Sequence, residues 1–124
     1  MTIEELISHI GTPYQQLDSD GNALGCMLPI YLLYPDIPKY AWPPQDNFID
    51  YFMDLLSKHG DLIPVEEIQV GDVVAIRALF GFLHVGVYIG NDEIVHCMTG
   101  DSLEKCRMSP LVKRVKGVFR WQVQ

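Results

Sequence analysis

The apolar residues of this sequence change their spacing near Leu62, and that change constrains the fold more than any other feature. Ahead of it, Ile3, Leu6, Ile7 and Ile10 recur at helical spacing, as do Phe48, Ile49, Phe52, Leu55 and Leu56. Beyond it the runs are short, rich in β-branched residues and punctuated by turn formers. Residues 73–76 follow Gly71-Asp72, residues 82–89 and 94–98 flank Gly90-Asn91-Asp92, and residues 103–108 and 118–123 alternate like final strands. Ser109-Pro110 opens a short turn or helix between those last two. Helices first and then a meander of antiparallel strands predicts an α+β fold. The 124 residues suit one domain spanning 1–124, with enough chain to bury a core without staples.

Local signals set the element ends. Thr2-x-x-Glu5 reads as a capping box, and Gly11-Thr12-Pro13-Tyr14 breaks the first helix. Residues 15–25 are a polar loop with turn chemistry at Asp20-Gly21-Asn22. The apolar run 26–34 fits a strand or a buried helix, and Pro29 decides between them. Proline is poor in a central strand but tolerated in a helix's first turn, so a buried helix begins near Gly25 and Cys26. Pro35, Pro38, Pro43 and Pro44 make residues 34–44 an extended loop. Asp46 caps a further helix that ends near His59-Gly60.

Charge excludes some partners. The net charge is −7, which argues against a nucleic-acid grip built on phosphate neutralisation. Residues 1–104 hold Lys39, Lys58, Arg77 and all 16 acids, whereas residues 105–124 hold six cations and no acid. The simpler account of the basic end is packing beside acidic neighbours; the sharper one is a docking face for an anionic partner. Three cysteines (Cys26, Cys97 and Cys106) are not a disulfide framework. Met1-Thr2-Ile3-Glu4-Glu5-Leu6 has neither the charge nor the apolar run of a signal peptide, and no run is long enough to span a membrane. A chain made in the cytoplasm, with no membrane partner, is the expectation.

The chemistry concentrates in the strands. His9 and His59 fall at helix ends, where a solvated histidine is the usual reading. His84 and His96 instead lie within strand runs of small and apolar residues, and two imidazoles on one hairpin ask for a reason. A two-residue turn at Asn91-Asp92 pairs residues summing to 183 and sets His96 against Val87, on the opposite side from His84. A three-residue loop, Gly90-Asn91-Asp92, gives a sum of 182; His96 then faces Gly86 on the same side as His84. Cys26 at a helix start would feel the positive end of the helix dipole and free backbone N–H groups, which lowers a thiol's pKa and binds an oxyanion. With an imidazole in reach it makes a nucleophile, and a third polar group would orient the imidazole.

These residues resemble the NlpC/p60 superfamily of cell-wall cysteine peptidases. The resemblance rests on Gly11-Thr12-Pro13-Tyr14, on Cys26 about a dozen residues later, on Gly71-Asp72-Val73-Val74, and on the stretch from His84-Val85-Gly86-Val87-Tyr88-Ile89-Gly90-Asn91 to Ile94-Val95-His96. It implies a papain-like α+β core, the nucleophile on a helix packed against a small antiparallel sheet, and hydrolysis of the D-glutamyl–diamino acid bond of peptidoglycan stem peptides. By position Cys26 would be the nucleophile, His84 the general base and acid, His96 the orienting third member, and Tyr14 a substrate- or oxyanion-binding hydroxyl. No cofactor and no metal are implied. The flank Leu24-Gly25-Cys26-Met27-Leu28-Pro29 departs from the family's Asp before the cysteine and small pair after it. Ile37-Pro38-Lys39-Tyr40 and Gly117-Val118-Phe119-Arg120-Trp121 look like phage tail-associated members, which implies delivery to the wall by a virion tail or other carrier.

Other readings stay open. An interbacterial effector of the same fold would also need a secretion machine to reach the wall. A lecithin–retinol acyltransferase-like enzyme shares the histidine segment but places its cysteine downstream, where only Cys106, in Glu104-Lys105-Cys106-Arg107, is available. Cys26, His84, His96 and Cys97 could make a zinc set, although strand neighbours 96 and 97 point to opposite faces. A tail or assembly domain without turnover is the non-enzymatic reading.

Overall fold

The computed structural model describes residues 1–21, 24–39, 48–77, 83–98 and 101–121. Among the described residues three α-helices, α1 (Ile3–Ser8), α2 (Leu28–Leu33) and α3 (Phe48–His59), precede a six-stranded antiparallel sheet. The strands are β1 (Gly60–Ile63), β2 (Val73–Arg77), β3 (Leu83–Gly90), β4 (Glu93–Cys97), β5 (Leu103–Arg107) and β6 (Val115–Trp121). The α+β expectation holds.

The N-terminal signals act as the sequence predicts. Thr2 Oγ1 accepts the Glu5 N–H at 3.1 Å while the Glu5 carboxylate accepts the Thr2 N–H at 3.4 Å, closing the capping box. Gly11 then takes φ +103°, a left-handed conformation that ends the segment. A 3-10 turn at Gly25–Met27 leads into α2, with Pro29 in its first turn where the missing N–H has no helical partner. Leu28, Pro29, Ile30, Tyr31 and Leu33 are all buried, so α2 is covered on every side. The expected Asp46 cap lies outside the described residues, as do Tyr40, Pro43 and Pro44.

The expected meander needs one correction. Strands β2 to β5 do run in sequence order, but β6 returns to lie between β1 and β2, giving the order β1-β6-β2-β3-β4-β5. β6 pairs with β1 on one edge and β2 on the other, and its Val118 and Phe119 are buried on the two faces of the sheet. Its outer partner β1 went unread because Gly60-Asp61-Leu62-Ile63 is short and Leu62 is 68% exposed, the profile of an edge strand. The 3-10 segment Ser109–Arg114 carries the chain back across.

Alternation along the strands makes two unlike faces. Val73, Ala75, Val85, Val87, Val95, Cys97, Leu103 and Phe119 form the main core with the buried residues of α1, α2 and α3. The alternate residues Val74, Ile76 and Ile94 join Met108 in a smaller cluster on the other face, edged by Val65, Ile68, Tyr88, Cys106, Leu111 and Val115.

The Gly71-Asp72 motif proves to be a junction. The Tyr34 hydroxyl at the end of α2 donates to the Gly71 carbonyl at 2.7 Å, and the Gly71 N–H donates to the Tyr88 carbonyl of β3 at 2.8 Å. Asp72, 2% exposed, receives Arg120 Nε and Nη2 of β6, each at 3.0 Å, and the Gln69 N–H at 2.8 Å. A buried carboxylate is tolerable only with such partners. The basic C-terminal stretch is accounted for in the same way at two further places: Lys105 lies 3.4 Å from Glu93, and Arg107 lies 3.5 Å from Asp92. Among the described residues no helix is long and apolar enough to cross a membrane.

Candidate active site

The β3–β4 hairpin decides whether the histidines meet. Asn91 and Asp92 form a two-residue turn with φ +52° and +62°, and Gly90 pairs with Glu93 across it. Taken alone, that turn would carry the register that parts the histidines. A bulge at Ile89 then shifts the pairing by one residue, giving Tyr88↔Ile94, Val87↔Val95 and Gly86↔His96. The register that unites the histidines is therefore the one observed, but a bulge produces it instead of a three-residue loop. A Cβ built on Gly86 would stand 3.0 Å from the Val95 carbonyl oxygen and 3.5 Å from His96 Cβ, so glycine leaves the space that the His96 side chain occupies.

His84 Nε2 and His96 Nδ1 lie 2.8 Å apart, with the rings edge-on at a centroid separation of 5.0 Å. One proton occupies that contact. Burial, reinforced by the neighbouring His96, pushes His84 down to about 4. His96 is also lowered by burial, against the opposing pull of Glu104 and Asp101. Both shifts favour neutral rings near pH 7, and a neutral pair can share one N–H···N hydrogen bond.

Cys26 is placed by a short relay from the sheet edge. The Gly11 N–H donates to the Leu103 carbonyl and the Leu103 N–H to the Thr12 carbonyl, each at 2.7 Å, while the Tyr14 N–H donates to the Asp101 carbonyl at 2.8 Å. The Leu24 and Gly25 N–H groups then donate to the Gln16 and Gln15 carbonyls, both at 3.0 Å, which fixes the entry to Cys26. Gly25 has φ +49°, and a Cβ there would lie 3.4 Å from the Tyr14 hydroxyl. Tyr14 thus stands over the residue before the thiol.

The sulfur meets β3 at the Val85 backbone amide, one residue along the chain from His84. Alternation puts the His84 and His96 side chains on the second face, while Cys26 packs with the main core, so the thiol reaches β3 at its backbone and not across a face. Among the described residues the two imidazoles are joined by a hydrogen bond and Cys26 is joined to neither. The thiol's protonation also differs from expectation. Burial pushes it up to about 11, although the Val85 and Cys26 N–H groups pull the other way. The expected lowering fails because the helix begins as a single 3-10 turn, whose few N–H groups offset less than desolvation costs. Cys97 and Cys106 are likewise raised by burial.

Sequence reasoning did not find Glu104, whose Oε1 lies 3.6 Å from His96 Nε2. The signal lay in the β4–β5 register, His96↔Glu104, which needs the β5 pairing to read. Among the described residues no group of three or more His, Cys, Asp and Glu side chains is arranged to hold a metal ion. His96 and Cys97 do point to opposite faces, Cys97 into the main core.

The NlpC/P60 family model matches residues 33–119, which include both histidines and Gly71-Asp72 but neither Tyr14 nor Cys26. Two solved structures superimpose over 98% of the chain, each with a TM-score of 0.63. One is described as similar to a lipoprotein of the NLP/P60 family, from Staphylococcus aureus, at 18% identity. The other is an NlpC/P60 family protein from Bacillus cereus, at 20% identity. This chain spans 40% of the length of each. No curated protein sequence matches it.

Proposed function

The chain belongs to the NlpC/P60 family, generally cell-wall peptidases, and from that premise we propose that it hydrolyses a peptide bond in peptidoglycan stem peptides with Cys26 as nucleophile. The observation that carries the reading is the 2.8 Å contact between His84 and His96 beside the Val85 N–H that donates to the Cys26 sulfur. His84 gives its Nε2 to His96, so Nδ1, the ring nitrogen nearer its own backbone, is left for the thiol. His84 is the base and acid, and His96 orients it.

A pair that rests as neutral thiol and neutral imidazole sets the order of events. The Cys26 proton passes to His84 Nδ1 as the sulfur attacks the substrate carbonyl, and the developing oxyanion takes the Cys26 N–H and the Tyr14 hydroxyl. His84 then returns the proton to the departing amine, leaving a thioester. Water, deprotonated by the same nitrogen, hydrolyses that thioester and restores the thiol. Substrate that displaces water from the site strengthens each of these contacts. The favoured scissile bond is the D-glutamyl–diamino acid linkage, on the family resemblance. Delivery by a phage tail or other carrier, and the effector alternative, rest on the sequence motifs alone.

Digestion of purified peptidoglycan by the full chain, with fragments identified by mass, tests the reading. New amino and carboxyl ends at one stem-peptide bond, lost in Cys26→Ala, are the expected result. Turnover that survives Cys26→Ala would sink it. A thiol probe separates the non-catalytic alternative: His84→Ala should slow labelling of Cys26, whereas equal, slow labelling of Cys26, Cys97 and Cys106 points to a structural domain.

A further inference from the structure

The two ring nitrogens of His96 are treated unequally. Nδ1 meets His84, whereas Nε2 is buried with no hydrogen-bond partner among the described residues, and the Glu104 carboxylate lies 3.6 Å from it. Glu104 sits directly across the β4–β5 ladder from His96, and its side chain is 48% exposed, free to swing the few tenths of an ångström that turn this separation into a hydrogen bond. Among the described residues Asp101, whose backbone carbonyl receives the Tyr14 N–H, is the other acid that acts on His96.

The tautomers are linked. If His96 carries its proton on Nδ1, it donates to His84 Nε2; His84 must then be protonated on Nδ1 and cannot take a proton from a thiol there. If His96 carries it on Nε2, its Nδ1 accepts from His84 Nε2–H, and His84 Nδ1 holds a lone pair. A carboxylate beside His96 Nε2 selects the second arrangement, because it accepts a proton donor and repels a lone pair.

We propose that Glu104 is a positioning residue: its carboxylate accepts the Nε2–H of His96 and thereby holds His84 in the tautomer that leaves Nδ1 open toward Cys26. The inference rests on the Cys-His-His reading above, and it extends the chain of contacts by one strand, from β3 through β4 to β5. Glu104 touches neither substrate nor sulfur. It acts only through His96.

Nitrogen-15 spectra of the histidine rings in the full chain, at pH 7, read the tautomer without any substrate. His96 protonated on Nε2, turning into a mixture in Glu104→Ala, is the expected result. Turnover in Glu104→Ala should fall about five- to tenfold in kcat with KM within twofold, and Glu104→Gln, which keeps an acceptor oxygen, should restore most of it. The melting temperature of Glu104→Ala should stay close to that of the parent, as suits a half-exposed side chain. His96 protonated on Nδ1 in the parent would overturn the proposal, and so would an unchanged tautomer and kcat in Glu104→Ala while Cys26→Ala is inactive. Activity surviving in Cys26→Ala would remove the nucleophile reading instead, and the ring spectra would still decide the role of Glu104.

Discussion

The two faces of the sheet are made from alternate residues of the same strands, yet they do different work. The face toward the helices is apolar throughout, from Val73 and Ala75 to Phe119, and burial there supplies stability. The other face carries a small cluster about Val74, Ile76 and Ile94, and beside it the hydrogen-bonded pair of buried His96 and half-buried His84, both lowered by burial. The imidazole pair and the apolar core are thus separated by the pleat, and the Cys26 thiol, on the core side, meets β3 between them at the Val85 amide. One residue of shift in any strand would exchange them.

Four measurements press on that division. The largest effect should come from Cys26→Ala or His84→Ala, which remove the proposed nucleophile or its proposed base; turnover should fall roughly 10⁴-fold or more with the fold retained, as circular dichroism and a melting curve would show. A melt that collapses alongside activity would erase the distinction. Phe119→Ala, on the helix side, should do the converse, costing roughly 3–5 kcal/mol in urea unfolding while activity per folded molecule is kept.

Acid titration comes next. The folded-state pKa of His84 lies near 4, against 6.5 when unfolded, so between those values the unfolded chain binds more protons. Stability should therefore be complete above about pH 6.5 and decline by about 3 kcal/mol as pH falls through 4, with the slope reduced in His84→Ala. At the alkaline end the sign reverses: Cys26, raised from 9.0 to about 11, lets the unfolded chain lose its proton first, so stability declines as pH rises across that window. Gly86→Ala should have the smallest effect, roughly 1–3 kcal/mol, because its Cβ would press on the Val95 carbonyl at 3.0 Å and on Ile94 Cδ1 at 3.3 Å. It tests the boundary itself, since separating β3 from β4 should lower kcat by more than the lost stability explains.

Much of this was legible beforehand. The change of period near Leu62, the capping box at Thr2 and the proline at the start of α2 each predict what is found, because each is a local rule read over a few residues. The pairing of His84 with His96 was readable as one of two registers, since alternation needs only the turn length. Three features were not readable, and all depend on distant chain. Strand β1 is defined by its pairing with the distant β6, the Cys26 thiol is raised by burial among residues the sequence does not list beside it, and Glu104 gains meaning only from its place opposite His96. Three of the six C-terminal cations also lie beside acids, at Glu93, Asp92 and Asp72, which favours the packing account of the basic end over a docking face there. Lys113, Arg114 and Lys116 are exposed, and reversing their charges is the direct test of a docking role for the rest.

The bulge at Ile89 also bears on how the molecule assembles. A turn with two left-handed residues closes on its own in roughly 1–10 µs, faster than a sheet with these distant pairings can form. What closes first is indifferent to Ile89: zipped without the bulge, the hairpin would turn His96 toward the helices and Val95 away from them. Only docking against β2 and the helical layer discriminates the two frames, by rejecting a buried polar ring where a valine belongs. Folding of this hairpin is consequently a choice made twice, once by the turn and once by the core. A chain lacking Ile89 faces it once, because the turn's own frame and the native frame then coincide.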